Sequence, residues 1–179
     1  MRTRTGAIAA LAVFLGGTVA AAQDGVAGQQ ITVVTVPSTA AAVPWQFRGV
    51  VKHVDPPPGD QAWVLQILTR GGFAGAGTGN FEVMSSGELT CAVKSVPCGG
   101  ALTAADVGRL AGLLAALGPK SWIASEPSAC SDCVQTLVLL HRREQGSVRT
   151  YLAHWDQSQV VPQELRRLYE TVVRLSSSR

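Results

Sequence analysis

Long apolar runs are missing from this chain. The longest near the N-terminus, Ala7 to Leu15, falls short of the roughly 20 apolar residues that a membrane-spanning helix needs, so we expect no stable membrane insertion. Arg2 and Arg4 precede the run, and small residues follow it at 20–22. This pattern is typical of a signal peptide over residues 1–22, and it predicts a secreted or periplasmic protein.

An excess of charge of one sign is also missing. The sequence has 15 basic and 12 acidic residues. Removing residues 1–22 removes two arginines and no acids, so 13 basic and 12 acidic residues remain, a formal charge of +1. A nearly neutral chain gives no electrostatic reason to expect nucleic acid or an anionic membrane as a partner.

Catalytic motifs are absent as well. No two of the histidines His53, His141 and His154 have the i, i+4 spacing of a zinc protease, and no Gly-x-Ser-x-Gly elbow occurs. The glycines of 75–79 do not match a dinucleotide fingerprint, and the lysine of a phosphate-binding loop is missing. The sequence therefore predicts no catalytic site, no cofactor and no metal.

Four cysteines are present, and exported proteins form disulfides. Four cysteines allow three pairings, and closeness in sequence favours Cys91–Cys98 and Cys130–Cys133. One alternative is a zinc ion held by all four, which would need reduced thiolates. Another is a redox motif at Cys130 and Cys133, but there a strand follows instead of the helix that such motifs begin.

The patterning predicts one α+β domain over residues 61–176. A weakly structured segment with a possible extra strand (23–60) precedes it, and a short tail (177–179) follows it. Three strands come first, at 63–70, 81–84 and 88–93. A helix capped by Thr103, a hairpin that turns at Gln145-Gly146 and a helix after Pro162 follow. We expect an antiparallel sheet with both helices packed on one face and two disulfides.

The glycine-rich stretch 71–80 lies between the first two strands. In one interpretation it is a flexible or bulged hairpin connection. In the other it is an exposed recognition loop that binds a partner through Gly71, Gly72, Phe73 and Gly75, with Phe73 as the apolar contact.

The run Arg70-Gly71-Gly72-Phe73-Ala74-Gly75 resembles the Arg-Ser-Gly-Gly-Phe-Ala-Gly signature of emfourin-like proteins. Leu89-Thr90, Leu102 to Asp106 and Trp122 follow in similar order, so the resemblance covers about 61–175. Members of that family inhibit thermolysin-type metallopeptidases such as protealysin. The compact members lack the signal peptide and the four cysteines of this chain.

The resemblance implies a non-enzymatic inhibitor whose partner is a secreted or periplasmic peptidase. Because thermolysin-type enzymes favour bulky apolar side chains, Phe73 is the residue we expect in the enzyme's cleft. A structural or interaction module of the cell envelope is the alternative function. A disulfide oxidoreductase is a third, and it would require an exposed thiol of low pKa at Cys130.

Overall fold

The computed structural model describes residues 43, 44, 47, 51, 59, 61–71, 79–93, 96–118, 121, 122 and 132–178. Eight elements follow along the chain: β1 (Trp63–Arg70), β2 (Asn80–Met84), β3 (Glu88–Val93), β4 (Val96–Ala101), α1 (Ala104–Ala116), β5 (Gln135–Glu144), β6 (Ser147–Asp156) and α2 (Gln163–Ser177). The predicted α+β class is confirmed. The possible extra strand of the segment 23–60, which the patterning favours at 31–36, and the predicted signal peptide lie outside the described residues.

The six strands form one antiparallel sheet in the order β4-β3-β2-β1-β5-β6. The meander β1 to β4 and the hairpin β5–β6 meet where β1 pairs with β5 over its full length, from Trp63 opposite Arg142 to Arg70 opposite Gln135. Every residue of β1 from Trp63 to Thr69 is buried. Because neighbouring side chains of a strand point to opposite faces, both faces of the sheet are covered at its centre.

The two helices cover one face, which we call the helical face. Leu110 and Leu114 of α1 and four residues of α2 enter a core with alternate residues of the strands. The buried members from the sheet and α2 are Trp63, Leu65, Ile67, Phe81, Val83, Leu89, Cys91, Val138, Leu140, Ala153, Trp155, Leu165, Leu168, Val172 and Leu175. At the start of α1, Thr103 Oγ1 accepts a hydrogen bond from Asp106 N at 3.2 Å, which confirms the predicted cap.

The opposite face holds the other alternate residues, and it is covered from the N-terminal side of the chain. Val43 and Phe47 are buried there against Leu68, Leu137, Leu139 and Leu152. Phe47 has no exposed surface, and its ring meets His154 edge-on at a centroid distance of 5.8 Å. Part of the segment predicted as weakly structured therefore contributes to the core.

The sheet has one strand more than the five predicted between 61 and 176. β4 contains Pro97, Gly99 and Gly100, which are poor strand formers. The strand is possible because β4 lies at the edge of the sheet and has a strand on one side only. Proline lacks an N–H group, and at an edge this loss need not remove a hydrogen bond to a neighbouring strand. Cys98 lies opposite Cys91 of β3 and is joined to it by a disulfide, with a Cα–Cα distance of 4.8 Å.

Candidate functional site

The connection from β1 to β2 carries the residues predicted to bind a partner. Gly71 lies at its start and is described, whereas Gly72, Phe73 and Gly75 lie outside the described residues. What the structure does show is how the two ends of this connection are held. We call Thr69, Gly71 and Gly79 the loop base.

Thr69 and Gly79 join the two ends of the loop through a pair of reciprocal hydrogen bonds. The Thr69 hydroxyl donates to the Gly79 carbonyl oxygen at 2.8 Å and accepts from the Gly79 amide at 2.8 Å. Asn80 Oδ1 also accepts from the Thr69 amide at 3.2 Å. Both bonds between Thr69 and Gly79 are buried, where water competes little for the same groups. The loop therefore leaves β1 and enters β2 from a fixed pair of points.

Gly71 fixes the loop base to the segment that leads into β5. Its φ is +91°, a conformation that side-chain-bearing residues rarely adopt. A Cβ added at this position would lie 2.5 Å from the Cys133 carbonyl oxygen, closer than van der Waals contact allows. The backbone at Gly71 therefore packs directly on Cys133, and the fold brings the glycine-rich stretch beside the second cysteine motif.

The cysteines agree in part with the predicted pairing. Cys91–Cys98 is a disulfide, as predicted. Cys130 lies outside the described residues, so Cys130–Cys133 stays a prediction. Among the described residues no cysteine is a free thiol, and the sulfur of Cys133 lies 3.7 Å from Gln157 Nε2.

The tip of the β5–β6 hairpin brings two arginines beside one glutamate. Arg142 and Arg149 lie 3.5 and 3.4 Å from the Glu144 carboxylate. The Tyr151 hydroxyl donates to Glu144 Oε1 at 3.0 Å. Partial burial, and then the neighbouring Glu144, raise the pKa of Tyr151 above its ordinary value, against a lowering contribution from Arg149.

The loop base was not predicted from the sequence, although one signal was present. Thr69 is a hydroxyl-bearing residue near the end of a strand that is otherwise mainly apolar, and it immediately precedes the Arg-Gly-Gly run. A threonine in that position can reach the backbone on the far side of a returning loop. Only the pairing of β1 with β2 shows that Gly79 is the residue reached.

In the part of the chain that the structure describes, no group of three or more His, Cys, Asp or Glu side chains is placed to hold a metal ion. Nor does any helix within these described segments have the length and apolar character required to cross a membrane. No protein-family model, curated protein or solved structure matches this chain.

Proposed function

We propose that this chain is an exported, non-enzymatic protein that inhibits a thermolysin-type metallopeptidase through the loop between β1 and β2. The observation that carries the proposal is the loop base. Thr69 and Gly79 close it with two buried hydrogen bonds, and Gly71 packs it against Cys133.

A fixed base matters because a flexible loop must lose conformational freedom when it binds. Ordering each side chain at an interface costs on the order of 0.5 to 1.5 kcal/mol, and a loop that is already held avoids part of that cost. Loops presented by a rigid scaffold are also where binding residues concentrate in proteins generally. The β1–β2 loop starts and ends on central strands of the sheet, so its base moves only if the core moves.

The identity of the target rests on the resemblance of 70–75 to the emfourin-like signature. On that basis Phe73 enters the substrate cleft, since thermolysin-type peptidases favour bulky apolar side chains. Gly72 and Gly75 would then let the backbone approach the enzyme closely, because glycine has no side chain to obstruct it.

The decisive experiment titrates a thermolysin-type peptidase with the oxidised protein from residue 23 to 179. We expect stoichiometric loss of peptidase activity without cleavage of the protein. Phe73→Ala should raise the inhibition constant at least about tenfold, as for an aromatic residue at an interface hot spot. Val160→Ala is the matched control, because Val160 is an apolar residue with 80% exposure that lies outside the loop.

A second pair of variants tests the loop base. Gly71→Ala and Gly146→Ala both place a side chain at positive φ, but only Gly71 has the Cys133 carbonyl in the way, while nothing lies within 4 Å at Gly146. We expect both variants to lose stability from backbone strain, on the order of 1 kcal/mol, and Gly71→Ala to lose more because its methyl group meets the Cys133 carbonyl oxygen. Only Gly71→Ala should weaken inhibition. Equal inhibition by both would contradict a role for the loop base.

We also propose that Cys130 and Cys133 form the second disulfide and support the loop base from the β5 side. Peptide mapping without reductant should recover these two residues as one linked fragment. Rapid alkylation of a thiol at Cys130 in the native protein would instead support the disulfide oxidoreductase.

Absence of inhibition across several thermolysin-type enzymes would contradict the inhibitor proposal. The envelope interaction module would then be the better proposal, and capture of envelope proteins on the oxidised chain would be the next measurement.

A further inference from the structure

A groove of about 470 Å³ lies between the two helices, on the side away from the sheet–helix core. Arg109 and Leu113 line it from α1, and Arg167, Glu170, Thr171 and Arg174 line it from α2. On each helix these positions are spaced by three or four residues, so they share one surface. Its volume lies within the range of about 300 to 1,000 Å³ that is usual for small-molecule sites.

The groove concentrates positive charge. Three guanidinium groups and one carboxylate give it a formal charge of 3 − 1 = +2. Among the described residues, no ion pair involves Arg109, Arg167 or Arg174. The arginines of the β5–β6 hairpin differ, since Arg142 and Arg149 lie beside Glu144. Positive charge in the groove is therefore open to an external anion.

The wall of the groove also offers a hydroxyl. Thr171 is 6% exposed, and within the described part of the chain its side chain makes no hydrogen bond. It lines the groove between Arg167 and Arg174. A hydroxyl that no protein group pairs with can donate a hydrogen bond to an anionic ligand.

We propose that this groove binds a small ligand with two or more oxyanion groups, either phosphates or carboxylates. Arginine is suited to both, because its planar guanidinium donates two parallel hydrogen bonds to such a group. Arg167 and Arg174 are separated by about 10 Å along the helix axis, with Arg109 on the facing helix. This spacing favours a ligand with separated anionic groups over a single monoanion.

The test measures binding of pyrophosphate and of citrate to the oxidised protein (23–179) by calorimetry at low ionic strength, with acetate as the monoanion reference. We expect one site for at least one of the two polyanions and none for acetate. The stronger of the two signals identifies the ligand as a phosphate or a carboxylate compound.

Arginine variants locate the site. Arg109→Gln should weaken binding by about tenfold or more, which is the usual effect of losing one charge-assisted hydrogen bond. Arg166→Gln is the matched control, because Arg166 is an exposed arginine of α2, the helix that also carries Arg167 and Arg174, and it does not line the groove. Equal weakening by both variants would show non-specific attraction and overturn the proposal.

Glu170→Gln should change the affinity for the polyanion in the opposite direction. Removing the single carboxylate of the groove should tighten binding several-fold, which is the usual size of one solvent-exposed contact between charges. Unchanged or weaker binding in this variant would contradict the proposed site. So would the failure of both polyanions to bind, including the case in which the protein binds only to vesicles of anionic phospholipid. Thermal unfolding of each variant confirms that its fold is intact.

Discussion

On the helical face, Leu65, Val83 and Leu140 pack against two amphipathic helices. On the opposite face, Leu68, Leu137 and Leu152 meet Phe47 from the N-terminal side of the chain. The first core is apolar apart from threonine hydroxyls such as those of Thr69 and Thr136. The second includes buried polar groups beside its leucines, namely Gln66, His141 and His154.

The two faces are therefore stabilised by different means. Apolar burial on the helical face needs only the right size and shape of side chain. The opposite face also needs hydrogen bonds, because a buried polar group without a partner costs about 1 to 3 kcal/mol. Gln66 Nε2 donates to Glu82 Oε2 at 2.8 Å, and the His141 ring bonds Thr150 Oγ1 at 2.9 Å. Polar substitutions should therefore separate the two faces experimentally.

Phe47→Ala should have the largest effect. Phe47 is fully buried over the opposite face, so we expect a loss of about 3 to 5 kcal/mol in the free energy of unfolding. Denaturant unfolding of the oxidised protein measures it. Leu168→Ala is the matched control on the helical face, where Leu168 is also fully buried, and it should lose about 2 to 5 kcal/mol.

A loss of less than about 1 kcal/mol for Phe47→Ala, with a normal loss for Leu168→Ala, would contradict this comparison. In that case the residues before 61 would be a detachable segment, and the opposite face would be stable without Phe47.

These two cores also show what the sequence could and could not predict. The helical face was predictable because its residues repeat with regular periods, as in Leu165, Leu168, Val172 and Leu175 of α2. Phe47 has no such repeat around it, and nothing local indicates that it packs on a strand about 90 residues later. β4 was missed because its glycines and proline disfavour a strand, which only pairing with β3 makes stable.

The candidate site follows the same rule. The glycine run and the Cys130–Cys133 motif were visible in the sequence, but their contact through Gly71 and Cys133 depends on the pairing of β1 with β5. The groove arginines were visible too, and Arg167 reads as part of a solvated helix face. Only the packing of α1 beside α2 places Arg109 opposite Arg167 and Arg174.

Loss of the Cys91–Cys98 disulfide should have the next largest effect, and it acts on the helical face. Cys91 is buried in that core, and the bond closes a loop of seven residues. Replacing both cysteines by serine should cost about 2 to 3 kcal/mol, from the greater entropy of the unfolded chain. The midpoint of denaturant unfolding reports the loss.

Reductant provides the internal control for this variant. It should shift the midpoint of the natural protein more than that of the double serine variant, which retains only Cys130 and Cys133. Equal shifts in the two proteins would mean that Cys91–Cys98 contributes nothing to stability.

Thr150→Val and Thr136→Val compare the contribution of side-chain hydrogen bonds on the two faces. We expect smaller losses of stability here than for the variants above. Thr150→Val removes one hydrogen bond of the His141 ring, which joins His141 Nδ1 to Thr150 Oγ1, and His141 is only 1% exposed. The loss should cost about 1 to 2 kcal/mol. Thr136→Val is the control on the helical side of β5, where Thr136 is buried but makes no side-chain hydrogen bond among the described residues. It should cost less than about 0.5 kcal/mol. If both variants lost the same free energy of unfolding, the two faces would not differ in their dependence on side-chain hydrogen bonds.

Tyr151→Phe should have the smallest effect, and only at alkaline pH. Tyr151 follows Thr150 but points to the helical side, where it stacks on Trp122 at a centroid distance of 5.3 Å. Burial first, and Glu144 second, raise the pKa of its hydroxyl from about 10. The folded protein therefore keeps this proton at a pH where the unfolded chain has lost it. Stability should fall as the pH rises above about 10, because unfolding then releases a proton.

Tyr151→Phe should reduce the loss of stability at alkaline pH. Tyr169→Phe, on the same face, is the control for removing a phenol group. Denaturant unfolding between pH 9 and 11 measures both, and absorbance of the phenolate follows the titration directly. If Tyr151→Phe and the natural protein lost stability in parallel over this range, the alkaline fall would come from other groups. The contact of Tyr151 with Glu144 and Trp122 would then contribute packing to the helical face without linking its stability to pH.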